Sequence, residues 1–211
     1  MKLRYKIVAL INYISIYYHK LKGALFYTRV FDSFLNGSII ISPIKLSYFG
    51  TNIGERVYIA HHSRIEVIKQ NHDDFYDPKI IIEDDVRIEQ RLHLTCANKV
   101  KICKGTSILF DVMITDIDHD YRKVGEYIKD QSFIVNSTTI GEGCFIGSGA
   151  KINAGTTLGK QCIVGANSVV RGEFPDYSVI VGAPARIIKR YCFEMNEWRK
   201  TDRYGQFIDE N

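Results

Sequence analysis

The chain has 211 residues, a hydrophobic fraction of 45% and a formal net charge of +4 at pH 7. These values predict one domain of ordinary size, with enough apolar side chains for a core and room for a terminal appendage. The five cysteines are odd in number and form no CxxC pair, which argues against a disulfide framework and predicts reduced thiols in a cytoplasmic protein. The modest charge gives no support for nucleic-acid binding beyond the basic N-terminus.

Residues 2–31 have the pattern of a helix with a wide apolar stripe. Apolar residues recur three and four positions apart: Leu3, Ile7, Leu10, Ile11, Ile14, Tyr17, Tyr18, Leu21 and Leu25. The run from Ile7 to Tyr18 is too short for a membrane span, and no small-x-small cleavage site follows it. Six cations and no acid precede Asp32, so the helix is predicted either to pack on the fold or a neighbouring subunit, or to lie on anionic lipid.

A six-residue beat dominates the chain from Ile140 to Val170. Each unit opens with an aliphatic residue, four of the five units place Gly second, and the fifth position is always small. The aliphatic residues are Ile140, Ile146, Ile152, Leu158, Val164 and Val170, and the small ones are Cys144, Ala150, Thr156, Cys162 and Ser168. Neither a helix nor an alternating strand has this period, whereas stacked repeats do.

Side-chain size suggests the geometry of these repeats. Three units make an 18-residue coil with one short strand on each face of a triangular prism, and the aliphatic and small residues point inward. Coils then stack about 4.8 Å apart. Ile140 is therefore predicted to lie under Leu158, and Cys144 under Cys162.

The same beat, with interruptions, extends back to Ile53. The stretch from Ser38 to Tyr48 is predicted to be an extended lead-in, and residues 71–78 a small loop at a corner. A longer segment without the beat, at about 119–138, is predicted to protrude, and long loops in regular folds are often functional. We predict an N-terminal helical segment over 1–35, an all-β prism over 36–183 and a helical tail over 184–211, with the helix itself at Arg186 to Arg203.

The hexads and the ending Val181-Gly-Ala-Pro-Ala-Arg-Ile-Ile-Lys-Arg190 resemble the hexapeptide-repeat, acetyl-CoA-dependent acyltransferases. The resemblance covers roughly residues 50–190. It implies a left-handed parallel β-helix, a homotrimer with the site between subunits, acetyl-CoA as cosubstrate, and no metal.

His119 ends a hexad where the main loop departs, and the resemblance places the catalytic histidine there. A neutral imidazole is a suitable general base for an acceptor that attacks a thioester. A nearby carboxylate would orient the imidazole, and Asp116, Asp118 and Asp120 all remain candidates. His93 and Tyr121 are candidates for acceptor binding. In galactoside and maltose acetyltransferases an asparagine occupies the place of His93, so this position departs from the family.

Coenzyme contacts also follow from the resemblance. A backbone N–H near Ser148 would face the thioester oxygen as it becomes an oxyanion. Pantetheine would approach the backbone at Gly149 and Ala166. Cationic side chains would meet the 3′-phosphate and pyrophosphate, and the candidates are Arg171, Arg186 and Lys189.

The acceptor is predicted to be a sugar hydroxyl of a bacterial surface polysaccharide such as lipopolysaccharide, or of its precursor. The chain has no front domain for a nucleotide-linked amino sugar, and the N-terminal helix would suit the inner membrane. The main alternative is N-acetylation of a nucleotide-linked amino sugar. More distant alternatives are a γ-carbonic-anhydrase-like zinc protein using His61, His62 and His93, and a non-catalytic trimeric scaffold.

Overall fold

The computed structural model describes residues 2–208, with the side chains of Lys2, Leu3 and Asn12 excepted. The predicted apolar position Leu3 and the last residues of the predicted tail therefore lie outside what is described. Most of the chain winds through three sheets in turn, and the strands that wind up the prism pair in parallel.

The three sheets form the faces of a prism. The first face comprises Ser33–Phe34, Thr51–Ile53, Lys79–Ile82, Lys99–Ile102, Thr138–Ile140, Thr157–Leu158 and Glu173–Phe174. The second comprises Ile39–Ile40, Tyr58–Ile59, Arg87–Ile88, Ser107–Ile108, Phe145–Ile146, Ile163–Val164 and Ser178–Gly182, followed by Ala185–Cys192 and Glu197–Lys200. The third comprises Lys45–Leu46, Arg64–Val67, His93–Cys96, Met113–Thr115, Lys151–Ile152 and Val169–Val170.

The core of the prism confirms the six-residue pattern. All six aliphatic residues and all five small residues of the Ile140–Val170 stretch are buried. Ile140 pairs with Leu158 in register, and the backbone N–H of Phe145 donates to the carbonyl of Cys162, which stacks that coil on the one containing Cys144. Since the inward residues of each coil lie directly above those of the coil before it, the core is a continuous apolar column.

Close stacking explains one of the glycines that open the turns. A Cβ on Gly141 would lie 2.2 Å from the carbonyl oxygen of Gly159 in the next coil. No side chain fits at that distance, so the second position of this hexad needs glycine.

The N-terminal segment is helical, as predicted. An α-helix spans Lys2–Lys22, a π-helical turn follows at Gly23–Tyr27, and a short α-helical turn covers Thr28–Val30. The helix touches the prism at its C-terminal end, where Tyr27 is buried with its ring 5.5 Å from Phe31 and 5.3 Å from Phe34. None of the helices in the described part of the chain is long and apolar enough to span a membrane.

The prism starts earlier than expected. Ser33–Phe34 already pairs with Thr51–Ile53, and the predicted lead-in forms the rest of a complete first coil. The hexad spacing is present there as Phe34, Ile40 and Leu46, although Pro43 and the polar turn around Gly37 obscure it.

The predicted C-terminal helix is wrong. Residues Ala185–Cys192 and Glu197–Lys200 form an antiparallel hairpin that extends the second face from Ser178–Gly182. Ala185 and Ile187 are buried while Arg186 and Ile188 are exposed, which is the alternation of a strand. The β-branched and aromatic residues that suggested an apolar helix face suit a strand equally well. The free edge of the last prism strand supplies the hydrogen-bond partners.

Two hairpins leave the prism where loops were predicted. Gln70–Asn71 pairs with Asp74–Phe75 in the smaller one. Ile117–His119 pairs with Phe133–Val135 in the larger, which contains a 3-10 turn at Ile128–Asp130. The backbone N–H of Asn136 donates to the carbonyl of Asp116, so the larger hairpin begins and ends at one point of the coil.

Candidate active site

The predicted site residues fall at two edges of the third face. Ser148, Gly149 and Ala166 lie in the turns between the second and third faces, where the backbone N–H of Asn167 donates to the carbonyl of Ser148 over 2.9 Å. His119 and Arg171 lie at the turns between the third and first faces. The width of the third face separates the two groups within one chain.

His119 is the last residue of the first strand of the larger hairpin, and its side chain is exposed. Its direct partner across the ladder is Phe133, whose ring centre lies 5.0 Å from that of the imidazole at an interplanar angle of 89°. Residues paired across an antiparallel ladder project to the same side, so this edge-to-face contact is a direct result of the hairpin register.

Asp116 is completely buried and binds backbone rather than His119. Its carboxylate accepts hydrogen bonds from the backbone N–H groups of Ala97, at 2.8 Å, and Asn98, at 2.7 Å. The thiol of Cys96 donates to the same carboxylate at 3.3 Å. Burial, followed by the charge of Asp116, raises the pKa of Cys96, which keeps that thiol protonated as a donor.

The other two carboxylates are also engaged. Asp118 accepts two hydrogen bonds of 2.7 Å from the guanidinium of Arg171, and as the residue next to His119 in a strand it points to the opposite side. Asp120 accepts from the backbone and guanidinium of Arg122, which lowers the pKa of Asp120. Each of the three candidate acids therefore has its own partner in this structure.

His93 stands on the outer side of the third face, between Arg64 and Met113 in register. Burial is the main cause that lowers the pKa of His93, and the positive charge of Arg64 adds to it. The lowered pKa favours the neutral imidazole, which can both donate and accept a hydrogen bond. Tyr121 lies in the larger hairpin with an exposed ring.

Arg171 and Arg186 line one open cavity of about 530 Å³ at the C-terminal end of the prism. Arg203 and Tyr204 line it too, with the Arg203 guanidinium 4.7 Å from the centre of the Tyr204 ring. The cavity thus gathers three arginines against the single carboxylate of Glu173. Lys189 is exposed on the hairpin strand that contains Arg186, outside this cavity.

Three residues near these groups were missed from the sequence. Arg203 was the last residue of the predicted C-terminal helix, so its approach to Arg171 was hidden. Phe133 and Tyr76 belong to segments that showed no hexad pattern. Each of these segments contains more than one aromatic residue, and nothing in the sequence indicated which of them would meet His119.

His61 and His62 lie side by side at a turn, with ring centres 6.0 Å apart. In the described part of the chain, no three His, Cys, Asp or Glu side chains are gathered as ligands for a metal ion. All five cysteines are free thiols.

Known proteins are similar to this chain both in its repeats and over most of its length. The family described as bacterial transferase hexapeptide (six repeats) matches residues 137–172. WbbJ of Escherichia coli K12, described as an O-acetyltransferase of lipopolysaccharide biosynthesis, is 32% identical over 181 residues, which are 82% of this chain and 88% of WbbJ. The chain belongs to the hexapeptide-repeat acyltransferases.

One further relative agrees with this assignment, and one solved structure shares the fold. The galactoside O-acetyltransferase of Escherichia coli K12 is 30% identical over 153 residues, or 72% of this chain and 64% of that protein. The crystal structure of AntD, an N-acyltransferase from Bacillus cereus in complex with dTDP and 3-hydroxybutyryl-CoA, has a TM-score of 0.62 at 16% identity and covers 79% of this chain and 86% of AntD. This structural likeness concerns the fold alone. With the parallel sheets, it fits the expected left-handed β-helix.

The contacts of Asp116 give a first prediction. Asp116→Asn replaces one acceptor oxygen by an NH₂ group that cannot accept from Ala97 or Asn98. The free energy of unfolding in urea should fall by about 1–3 kcal/mol. Asp118→Asn, which loosens only a partly exposed ion pair, should cost about 1 kcal/mol or less. An Asp116→Asn protein as stable as the wild type would contradict the structural role of this carboxylate.

Proposed function

We propose that this acyltransferase moves the acetyl group of acetyl-CoA to a sugar hydroxyl of a bacterial surface glycan or its precursor, with His119 as general base. The observation that carries the proposal is the position of His119, an exposed imidazole on the strand that leaves the prism at an edge. The relationship to WbbJ, which extends over most of both chains, supports the acceptor class.

The proposed step is an acyl transfer. A nitrogen of His119 takes the proton of the acceptor hydroxyl while the oxygen attacks the thioester carbonyl carbon. The resulting oxyanion receives a hydrogen bond from the backbone N–H near Ser148, as the family resemblance suggests. The C–S bond then breaks, the coenzyme sulfur takes the proton from His119, and the products are the acetyl ester and free coenzyme A.

The positions of the predicted residues support a homotrimer. Ser148 and Ala166 lie at one edge of the third face, and His119 lies at the other. A donor bound at the first edge and a base at the second act on one acceptor when the first edge of one subunit meets the second edge of its neighbour. Three such contacts close a ring with three sites.

We assign none of the three aspartates as the acid that orients His119. Asp116 binds backbone amides, Asp118 binds Arg171 and Asp120 binds Arg122, so each would have to leave its present partner to bind the imidazole. His93 and Tyr121 remain the proposed acceptor contacts. Placement in the cytoplasm follows from the use of acetyl-CoA and from the free thiols.

A direct assay tests the function. We expect acetyl transfer from acetyl-CoA to a neutral glycan, followed by thiol release, and a drop in turnover of about a hundredfold or more in His119→Ala. His61→Ala, which removes an exposed histidine of the prism, is the matched control and should keep turnover within a few-fold of the wild type. Turnover on nucleotide-linked amino sugars alone would favour N-acetylation, whereas an active His119→Ala enzyme would exclude this histidine as the base.

The arginine cavity is the proposed site for the coenzyme phosphates. Arg171 and Arg186 were expected there from the family, and Arg203 adds a third guanidinium. Guanidinium groups bind phosphate through paired, charge-assisted hydrogen bonds. Arg171 is paired with Asp118, so binding of phosphate at Arg171 would compete with that ion pair. Lys189, which lies outside the cavity, remains a candidate for contact with the coenzyme phosphates.

Arg203→Ala provides the test of this cavity. We expect the KM for acetyl-CoA to rise by about tenfold with little change in kcat, because one charge-assisted hydrogen bond is lost from bound coenzyme. Lys160→Ala removes an exposed cation at a different corner and should leave the KM unchanged. Equal KM values for Arg203→Ala and the wild type would place the phosphates elsewhere.

We also propose that the N-terminal helix binds an anionic membrane surface. Large apolar side chains are exposed on all sides of the helix, Ile7, Val8, Leu10, Ile11, Ile14, Ile16 and Leu21 among them. Packing on the prism, one of the two expectations, therefore holds only for the C-terminal end of the helix. An apolar helix surface requires burial. If three such helices packed together in a trimer, the six cations of each helix would repel those of the other two. Anionic lipid would instead neutralise them.

Vesicle binding measures this contact. The protein should sediment with vesicles containing phosphatidylglycerol, bind much more weakly to phosphatidylcholine alone, and dissociate as salt is raised. Ile11→Ser combined with Ile14→Ser should abolish binding. Ile44→Ser combined with Val124→Ser, which alters exposed apolar residues elsewhere, should not. A helix variant that changes the size of the assembly but not vesicle binding would instead identify the helix as a subunit contact.

A further inference from the structure

We propose that Tyr76 and Phe133 are positioning residues for the base, and that the small hairpin around residues 70–75 is a strap that holds the larger hairpin in place. The catalytic half of this inference rests on the proposed role of His119. The mechanical half, the strap, rests on contacts within the chain and can be tested without an assay of activity.

The first contact is between the imidazole of His119 and the ring of Phe133. The two residues are paired across the ladder, and their rings meet edge to face at 5.0 Å. Phe133 is half-buried while His119 is exposed, so the phenyl ring is the wall against which the imidazole rests. A shift of Phe133 would therefore allow the imidazole to rotate.

The second contact fixes Phe133 from outside its own hairpin. The ring of Tyr76 lies nearly parallel to that of Phe133, with centres 6.2 Å apart and an interplanar angle of 23°. Tyr76 follows the small hairpin directly, and its backbone N–H donates to the carbonyl of Lys69 over 2.9 Å. Burial raises the pKa of Tyr76, in agreement with a ring packed between the two hairpins.

Polar contacts between the hairpins accompany the aromatic stack. Nε2 of His72 lies 3.0 Å from the carbonyl oxygen of Lys129, and the amide of Asn71 donates to the carbonyl of Gln131 at 3.5 Å. These groups are separated by 57 and 60 residues in sequence. The small hairpin therefore contacts the larger one between its two strands, at the 3-10 turn and directly after it.

Gln131 connects the strap to the interior of the larger hairpin. Its side chain is buried, donates to the carbonyls of Lys123 and Glu126 at 3.1 Å, and accepts from the backbone N–H of Lys123 at 3.2 Å. The segment between the two strands is thus folded around one amide. Gln131 lies two residues before Phe133, so this network borders the strand that contains the Phe133 ring.

This arrangement matters because the candidate acids bind other groups. Asp116 binds backbone amides, Asp118 binds Arg171 and Asp120 binds Arg122. The imidazole is instead oriented by packing against Phe133. Aromatic side chains have few rotatable bonds and define position well, and a misplacement of about 1 Å can reduce turnover by about a hundredfold.

Tyr76→Ala and Phe133→Leu test the positioning role. Both should lower kcat by about tenfold or more while the KM for acetyl-CoA changes by less than about twofold, because the coenzyme contacts lie elsewhere. Tyr76→Phe keeps the stacked ring and should restore turnover close to that of the wild type. Phe75→Ala, an exposed ring of the same hairpin, is the matched control and should have no effect. Wild-type kcat in both Tyr76→Ala and Phe133→Leu would overturn the positioning role.

Hydrogen–deuterium exchange separates this inference from the proposed function. In Tyr76→Ala, amides of residues 117–135 should exchange faster than in the wild type, with those of the prism unchanged. Phe75→Ala should exchange like the wild type. Unchanged protection of 117–135 in Tyr76→Ala would overturn the strap even if the enzyme is active. Faster exchange in a protein with no acetyl transfer on any acceptor would keep the strap and reject the catalytic role of His119.

Discussion

The structure depends on one constraint, the hydrogen bonding of every coil to the next along all three faces. Because each strand of a face pairs in parallel with the strand one coil away, an aliphatic residue such as Ile114 must stack directly between Leu94 of one neighbouring coil and Ile152 of the other. Side chains at the edges are ordered into columns by the same pairing. Ser148 and Ala166 acquire their positions from the core, and the candidate site inherits its rigidity from it.

A long insertion in such a stack must not break the coil that contains it. Asp116 solves this problem with both its backbone and its side chain. Its carbonyl accepts from Asn136, where the chain returns, and its carboxylate binds the amides of Ala97 and Asn98 in the coil beneath. The prism continues as though residues 117–135 were absent. The larger hairpin is consequently free to hold His119 outside the core without a cost to the stack.

Much of the fold could be predicted because the hexad pattern is local. A coil needs only residues within 18 positions of each other, so the burial of Cys144 under Cys162 follows from spacing. The tail from Ala185 to Cys192 could not be predicted in this way. Its apolar residues fit both a helix and a strand, and the free edge of Ser178–Gly182 decided between them. That edge is a property of the assembled prism rather than of the tail.

The residues of the candidate site also divide into those that the repeats indicate and those that depend on the assembled fold. The place of His119 at the departure of the larger hairpin was predictable because that residue ends a hexad, and Arg171 and Arg186 were proposed from the recognisable ending of the family. Tyr76 and Phe133 are brought together by two insertions that leave the prism separately, and neither insertion has a period that sequence reasoning could extend. Regular repeats therefore specify where the proposed base stands, while irregular segments are proposed to hold it there. A prism of this kind can keep its coenzyme edge and change its acceptor by altering the hairpins alone, since the core does not depend on them.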